Sequence, residues 1–310
     1  MIRLDSPEAP SALRGAIVAL GNFDGFHRGH QAVVGEAIGW ARAQGRPAIV
    51  ATFDPHPMRV FKPETPPFRL TTLDQRQELF AAAGADAMLV FHFTREMAAM
   101  NAEDWVRQVI AGSLGAIGVV TGEDFTFGRG RAGNAARLAA IGADCGVAAR
   151  AVRAVHDAQG PISSSRIRAA LHAGDCETAT RLLTRPFTIR GRVQHGDKRG
   201  RAIGYPTANL DPGHYLRPLY GIYAVAARLR DGRRLQGAAN FGIRPSFTPP
   251  RELLEPYFFD FSGDLYDQEI DVEFRHFLRP EAKFDSLDAL AAQMAADCDA
   301  ARGWLADQPD

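Results

Sequence analysis

Lysine is nearly missing from this chain. Only Lys62, Lys198 and Lys283 occur in 310 residues, and arginine supplies the rest of the 36 positive charges. These are matched by 36 acidic residues, so the chain has no formal net charge, and its balance favours neither bulk nucleic acid nor an anionic membrane surface as partner. Any phosphate it holds must be held by local geometry. Cysteine is equally scarce: Cys145, Cys176 and Cys298 are odd in number, far apart and free of any C-x-x-C pair. That excludes a disulfide framework and a zinc ribbon, and it makes a reducing, cytoplasmic compartment the expectation. The apolar run Ala16 to Leu20 is too short for a membrane span or a signal peptide. A Walker A lysine loop is missing as well.

What is present is ordinary globular composition, 46% hydrophobic and 23% charged, over a length that suggests about two domains. In the first half, short apolar runs alternate with helical periodicity. Strands are expected at Ala16 to Leu20, Ala48 to Phe53, Ala87 to Phe93, Ile117 to Thr121 and Val147 to Val152. Helices follow at about Val33 to Ala41, at Asp74 to Ala83, after Asn101 and at Asn134 to Ala140. Strand, helix, strand with short links is a parallel crossover unit, so the N-terminal fold class is an open, Rossmann-like α/β sheet. Ligands of such sheets gather beyond the carboxyl ends of the strands. From about Phe187 the pattern becomes alternating, with a hairpin signal at Asp231-Gly232 between Tyr223 to Arg230 and Arg234 to Phe241, and with Ile270 to Phe277 following suit. A second, mostly antiparallel domain is expected there. It closes with a helix from Ser286 to Trp304 whose face carries Leu287, Leu290, Met294 and Cys298. The expected division is 1–184 and 185–310.

The loop Gly21-Asn22-Phe23-Asp24-Gly25-Phe26-His27-Arg28-Gly29-His30 joins a strand to a helix. Freed backbone N–H groups and the positive end of the helix macrodipole favour an anion there, and glycine allows a polyphosphate close to the main chain. His27 and His30, three apart, share a face. Two imidazoles on such a junction suit transfer chemistry on a nucleoside triphosphate, where charge grows in the transition state. A solvated surface turn is the plain alternative for any one of these histidines. Near residue 163, Ser163 and Ser164 can cap a helix that carries Arg168, for which a plain N-cap with an exposed arginine is the alternative.

The combined string resembles the H-x-G-H signature of the nucleotidylyltransferase superfamily, and in particular the N-terminal half of prokaryotic bifunctional riboflavin kinase/FMN adenylyltransferases, also called FAD synthetases. Three more segments carry the resemblance in the same order. Phe53-Asp54-Pro55-His56-Pro57 is similar to the family's F-D-P-H-P loop, Gly122-Glu123-Asp124-Phe125-Thr126-Phe127-Gly128 to its flavin-side loop, and Ile162-Ser163-Ser164-Ser165-Arg166-Ile167-Arg168 to its serine and arginine motif. The resemblance implies ATP binding by Gly21, Phe23, Asp24, Gly25, His27, His30, Ser163, Ser164 and Arg168, with His27, His30 and Arg168 catalytic. It implies flavin binding by Asp54, Pro55, His56, Pro57, Asp124, Phe125 and Phe127. For Phe125 and Phe127 a place in the core is an equal alternative. No K-M-S-K-S-like lysine motif accompanies the loop, which argues against an aminoacyl-tRNA synthetase.

In the second half, His195 to Leu210 is the densest stretch of glycine and charge. A basic glycine loop ending in a hydroxyl and an amide can hold diphosphate, or can be a flexible loop before a strand. The run resembles the P-T-A-N motif of riboflavin kinases, a small β-barrel family. Gly221-Ile222-Tyr223, Asn240-Phe241-Gly242-Ile243-Arg244-Pro245-Ser246-Phe247 and Phe277 to Phe284 extend the likeness. It implies Glu255 as the base for the ribityl hydroxyl, and ATP binding by Gly196, Lys198, Gly200, Gly204, Thr207 and Asn209. Thr207 and Asn209 would hold Mg²⁺. Ser246 stands where many relatives have threonine, and Pro256 removes a ladder N–H, so the strand at Glu255 should lie at an edge or begin there. The implied cofactors and partners are Mg²⁺, ATP and the flavins riboflavin, FMN and FAD, with no nucleic acid or membrane. A relative with one inactive half, or a non-catalytic flavin-binding regulator, would share these motifs.

Overall fold

The structure, a computed structural model, describes residues 1–195, 204–244 and 250–308. Two compact units divide the chain: Met1–Pro66 with Thr72–Ser163, and Pro67–Thr71 with Ser164–Asp310.

The first unit is a six-stranded parallel sheet. Its strands are β1 (Ile2–Leu4), β2 (Ile17–Leu20), β3 (Ala48–Asp54), β4 (Ala87–His92), β5 (Gly118–Gly122) and β6 (Ala148–Val152), in the order β1-β4-β3-β2-β5-β6. The first five expected strands are all present, displaced by a residue at most. β1 was not legible, because three residues paired at an edge are too few to show a period. Strands β2 to β5 are buried on both faces, which is why they read as continuous apolar runs rather than alternating ones. One layer over the sheet includes helix α1 (Arg28–Ala43), which buries Val33, Val34, Ala37, Ile38 and Ala41. The opposite layer includes the segment after Asn101, where Trp105–Ser113 winds as a π-helix and buries Trp105, Val106, Val109 and Ile110. Helix α2 (Pro57–Phe61) follows β3, α3 (Leu73–Ala83) precedes β4, and α4 (Ala135–Asp144) precedes β6. The chain order of neighbours reverses between β2 and β5. Open α/β sheets bind ligands at such a switch point, beyond the strands' carboxyl ends.

The second unit opens with α5 (Ser164–His172) and α6 (Cys176–Leu183), followed by strands β7 (Phe187–Arg192), β8 (Gly221–Arg228), β9 (Arg234–Arg244), β10 (Arg251–Phe258) and β11 (Glu269–Arg279). They form an antiparallel sheet in the order β7-β11-β8-β9-β10. Residues 208–210 close it into a barrel: Leu210 pairs with Leu254 at one side, and Gln194, just past β7, pairs with Asn209 at the other. Side chains alternate accordingly. Tyr223, Phe241, Phe274 and Phe187 fill the interior, with ring centroids 4.9 Å apart for Tyr223 and Phe274 and 5.6 Å for Phe187 and Phe274. Ala224 and Ala238 face outward and are covered by helix α7 (Leu287–Ala306) through Ala301 and Leu305. The expected apolar face of this helix is shifted. Leu287 is 69% exposed, while Asp297 is buried because both its carboxylate oxygens accept from Arg279, at 2.7 and 2.6 Å.

Candidate active sites

The loop after β2 is built against its local preference. Phe23 and Phe26 both have positive φ, 48° and 44°, as does Gly25 at 86°. For a phenylalanine this backbone costs about 1–2 kcal/mol. Burial of the two rings offsets it: Phe23 and Phe26 both pack edge-on against Phe80 of α3, with centroids 5.9 and 5.1 Å away. The loop is also tied to its neighbour, since the Asn22 carbonyl accepts from the Thr52 hydroxyl at 2.7 Å and from Arg76 at 3.1 Å. Both anchors are buried. Arg76 was missed in the sequence, although it occupies a core position of the α3 stripe.

So held, the loop delivers its polar groups to the start of α1. His27 is the N-cap residue, and the backbone N–H of His30 donates to its Nδ1 at 3.4 Å. The two imidazoles stack with centroids 3.6 Å apart, and Phe23 meets the His30 ring edge-on at 5.3 Å. The glycine between them has a steric reason. A Cβ on Gly29 would lie 3.1 Å from the His27 ring and 3.4 Å from the Ile162 carbonyl. That second contact places Ile162, the first residue of the fourth motif, beside the start of α1. Asp24 and His27 are buried, and Gly21 leaves room for the Phe23 ring. Ser164 and Arg168 fall in α5 of the other compact unit, where Arg168 Nε donates to the Phe68 carbonyl at 2.9 Å and its guanidinium lies 5.1 Å from the Phe68 ring centroid.

The other two motifs follow β3 and β5, on the same side of the sheet. Asp54 ends β3 and Pro55 follows it, and His56 caps the short helix α2 by accepting from the Met58 N–H at 3.2 Å; Pro57 takes the first helical position, where its missing N–H does no harm. Beyond β5, Asp124 is exposed. Phe127 is buried against Trp105 at 5.1 Å, and Phe125, stacked on it at 5.8 Å, is the ring nearer to solvent.

In the second unit the site is a row across strands. Leu210 pairs with Leu254, and the Ala208 N–H donates to the Pro256 carbonyl at 2.9 Å, so Asn209 lies level with Glu255. On the other side Glu255 pairs with Asn240, Asn240 with Ile222, and Ile222 with Arg279. Directly opposed residues share a face. Asn209, Glu255 and Asn240 therefore stand side by side, with Thr207 one position along the same face. Pro256 is accommodated as its chemistry requires: β10 ends the five-stranded order, and the only bond lost is the return from residue 256 to residues 208–210. Thr207 and Asn209 form no side-chain hydrogen bond with the described residues. Gly204 is exposed in a turn, with φ 87°. Gly196, Lys198, Gly200 and the segment Pro245-Ser246-Phe247 lie outside the described residues.

Three polar groups of this unit had no role assigned from sequence. Arg244 forms an ion pair with Glu255, and its Nη1 also lies 3.3 Å from Glu281 Oε1. Asn240 Oδ1 is buried and has no partner among the described residues. On the barrel-interior side, Tyr220 donates to Glu252, and burial with that carboxylate pushes the phenol up to about 12.

Two family models match the chain. The FAD synthetase family model matches residues 9–166, and the riboflavin kinase model matches residues 183–305. A bifunctional riboflavin kinase/FMN adenylyltransferase of Pseudomonas fluorescens is 38% identical over 94% of this chain and 94% of its own length. The protein of the same description from Escherichia coli K12 is 36% identical over 91% and 90%. A crystal structure described as a macrolide-efflux protein from Streptococcus pneumoniae is 31% identical, covers 98% of this chain and 99% of its own, and superposes with a TM-score of 0.87. Among the described residues no helix is long and apolar enough to cross a membrane. With two sites of this construction and relatives that span nearly its whole length, the chain belongs to the family of bifunctional riboflavin kinase/FMN adenylyltransferases.

Proposed function

We propose that the chain makes FAD in two ATP-dependent transfers, with residues 185–310 phosphorylating riboflavin to FMN and residues 1–184 adenylylating FMN to FAD. The observation that carries the reading is the coexistence of two differently built polar sites, each on the motifs of one activity. In the first, a phosphate oxygen of FMN attacks the α-phosphorus of ATP and pyrophosphate leaves in line. No protein nucleophile is needed, so catalysis is positioning and neutralisation. Gly21, Phe23, Asp24 and Gly25 shape the phosphate turn, His27 and His30 face the growing charge, and Ser163, Ser164 and Arg168 serve the pyrophosphate. Asp54, Pro55, His56, Pro57, Asp124 and Phe125 border the flavin. Phe127 supports that border from the core.

In the second, Glu255 takes the proton of the terminal ribityl hydroxyl as its oxygen attacks the γ-phosphorus, and ADP departs. A carboxylate of ordinary basicity serves because alignment in the transition state matters more than prior deprotonation. Thr207 and Asn209 offer neutral hard oxygens beside Glu255, a donor set that fits Mg²⁺, which keeps several waters and phosphate oxygens of its own. When bound, the ion would neutralise charge on the transferring phosphoryl group. The substrates are small molecules, and the cytoplasm is the compartment in which ATP and three free cysteines are both at home.

The test is direct: incubate the purified chain with riboflavin, ATP and Mg²⁺ and separate the flavins. FAD is the expected product. FMN alone would leave a kinase with an inactive first half, and unchanged riboflavin would leave a flavin-binding protein without turnover.

A further inference from the structure

Arg244 touches two carboxylates that come from different parts of the barrel. Its Nε and Nη2 both meet Oε2 of Glu255, whereas Nη1 faces Oε1 of Glu281 at 3.3 Å. Oε1 of Glu255 forms no bond with a described residue. The base is thus gripped by one oxygen and offers the other. All three side chains are partly buried, at 25% exposure for Arg244, 18% for Glu255 and 34% for Glu281, so their attraction is less screened than on an open surface.

The second carboxylate is seated deliberately. Glu281 follows β11, and its segment is fastened where Arg279 is locked to Asp297 of α7. Its carboxyl group lies directly over Gly242 of β9. A Cβ at 242 would stand 2.1 Å from Oε1 and 2.4 Å from Cδ of Glu281. Only glycine leaves that seat open.

We propose that Arg244 is the positioning residue of the phosphoryl-transfer step, holding Glu255 by Oε2 so that Oε1 faces the ribityl hydroxyl, and that Glu281 takes over the guanidinium as Glu255 becomes neutral. The inference rests on Glu255 as the base. In that step the hydroxyl O–H bond breaks, its proton goes to Glu255 Oε1, the new O–P bond forms at the γ-phosphorus, and the bond from that phosphorus to the β,γ-bridging oxygen breaks to release ADP. Glu255 loses its negative charge during this event, and with it most of its hold on Arg244. A guanidinium left without a counter-charge in a half-buried site would resist the proton transfer. Glu281 removes that resistance, because an arginine has a second edge with which to form a charged pair.

Steady-state FMN formation by the full chain tests this with Arg244→Gln, Arg244→Lys, Glu281→Gln and the double variant Arg244→Gln/Glu281→Gln. Arg244→Gln is expected to lower kcat roughly 10- to 100-fold, the scale of a misplaced catalytic group, with both KM values within about twofold. Arg244→Lys should recover part of that loss. Glu281→Gln should lower kcat several-fold alone and have no further effect in the Arg244→Gln background. A thermal melt of each variant controls for folding of the barrel, and FAD formation from supplied FMN for the rest of the chain. Unchanged kcat in Arg244→Gln, a change confined to KM, or additive losses in the double variant would overturn the proposal. Should Arg244→Gln not fold, Gly242→Ala decides: displacement of the Glu281 carboxyl should reproduce the Glu281→Gln loss, and an unaffected kcat would overturn it. Glu255→Gln separates the two readings. If it still makes FMN, the base assignment itself fails; if it is dead while Arg244→Gln is normal, only the clamp fails.

Discussion

The two sites of this chain are assembled by opposite means. In the parallel sheet, one continuous stretch, Gly21 to His30, supplies a strained turn, an N-cap and two stacked imidazoles, and the sheet contributes mainly rigidity and a switch point. In the barrel, residues 207, 209, 240, 244, 255 and 281 are far apart in sequence and become neighbours through strand register. A loop site depends on local backbone geometry, so single steric changes should damage it without unfolding the domain. A register site depends on the whole sheet, so its chemistry and its stability should fail together unless the change is isosteric.

The largest expected effect breaks the comparison at the register site. Glu255→Gln is isosteric and should lower FMN formation by roughly 10²–10⁴-fold, the range for loss of a general base, while FAD still forms from supplied FMN. Loss of both activities would show that the two halves do not act independently. At the loop site, His30→Ala and Gly29→Ala should both slow adenylyl transfer and spare the kinase. Gly29→Ala is the sharper test. Alanine should raise helix stability by about 0.8–1 kcal/mol through propensity, yet its Cβ crowds the His27 ring at 3.1 Å. A protein equally or more stable but roughly tenfold slower in FAD formation is the expected result, measured by thermal melt and single-activity assay. Normal FAD synthesis in His30→Ala would remove His30 from the mechanism.

Acid should expose the other side of the contrast. Burial raises the Asp271 carboxyl, but Arg190 and Arg228 more than offset this and hold it below the usual carboxylate range. A folded-state value below the unfolded one contributes stability that is present above the unfolded pKa of about 3.9. That contribution is lost as pH falls below about 4. Melts between pH 7 and 3 should therefore show the barrel losing stability at the acid end, and Asp271→Asn should destabilise it at neutral pH by about 3–5 kcal/mol, the cost of leaving a buried guanidinium without its partner. An Asp271→Asn melt that matches the parent at both ends of that range would contradict this.

Legibility in the sequence followed the same divide. The parallel sheet was readable because strands buried on both faces give unbroken apolar runs, and the first site because its motif is contiguous. β1 was not, since Ile2–Leu4 shows no period. The last helix was placed correctly, but its buried face was misread at Leu287 and Asp297, because an ion pair with Arg279 decides the burial of an aspartate and no periodicity reports it. In the barrel, Glu255, Thr207 and Asn209 came from family resemblance. Their adjacency is a matter of register, which one sequence cannot supply. Arg244 and Glu281 stood in quoted motifs without a role for the same reason, and Arg76, which fills a core slot, was given none.

The smallest effect tests whether the loop site draws on its sheet for more than rigidity. Thr121, at the end of β5 where the loop 122–128 leaves, is fully buried, and its Oγ1 has no partner among the described residues. A buried hydroxyl without a partner is unfavourable, so Thr121→Val, which keeps the branched shape and removes the oxygen, should stabilise the first unit by about 1 kcal/mol. If β5 is only scaffold, FAD formation stays unchanged while the melting temperature rises. A stabilised protein with slower adenylyl transfer would instead mean that this oxygen acts when the loop is occupied by flavin, and the sheet would then share in the chemistry as the barrel does.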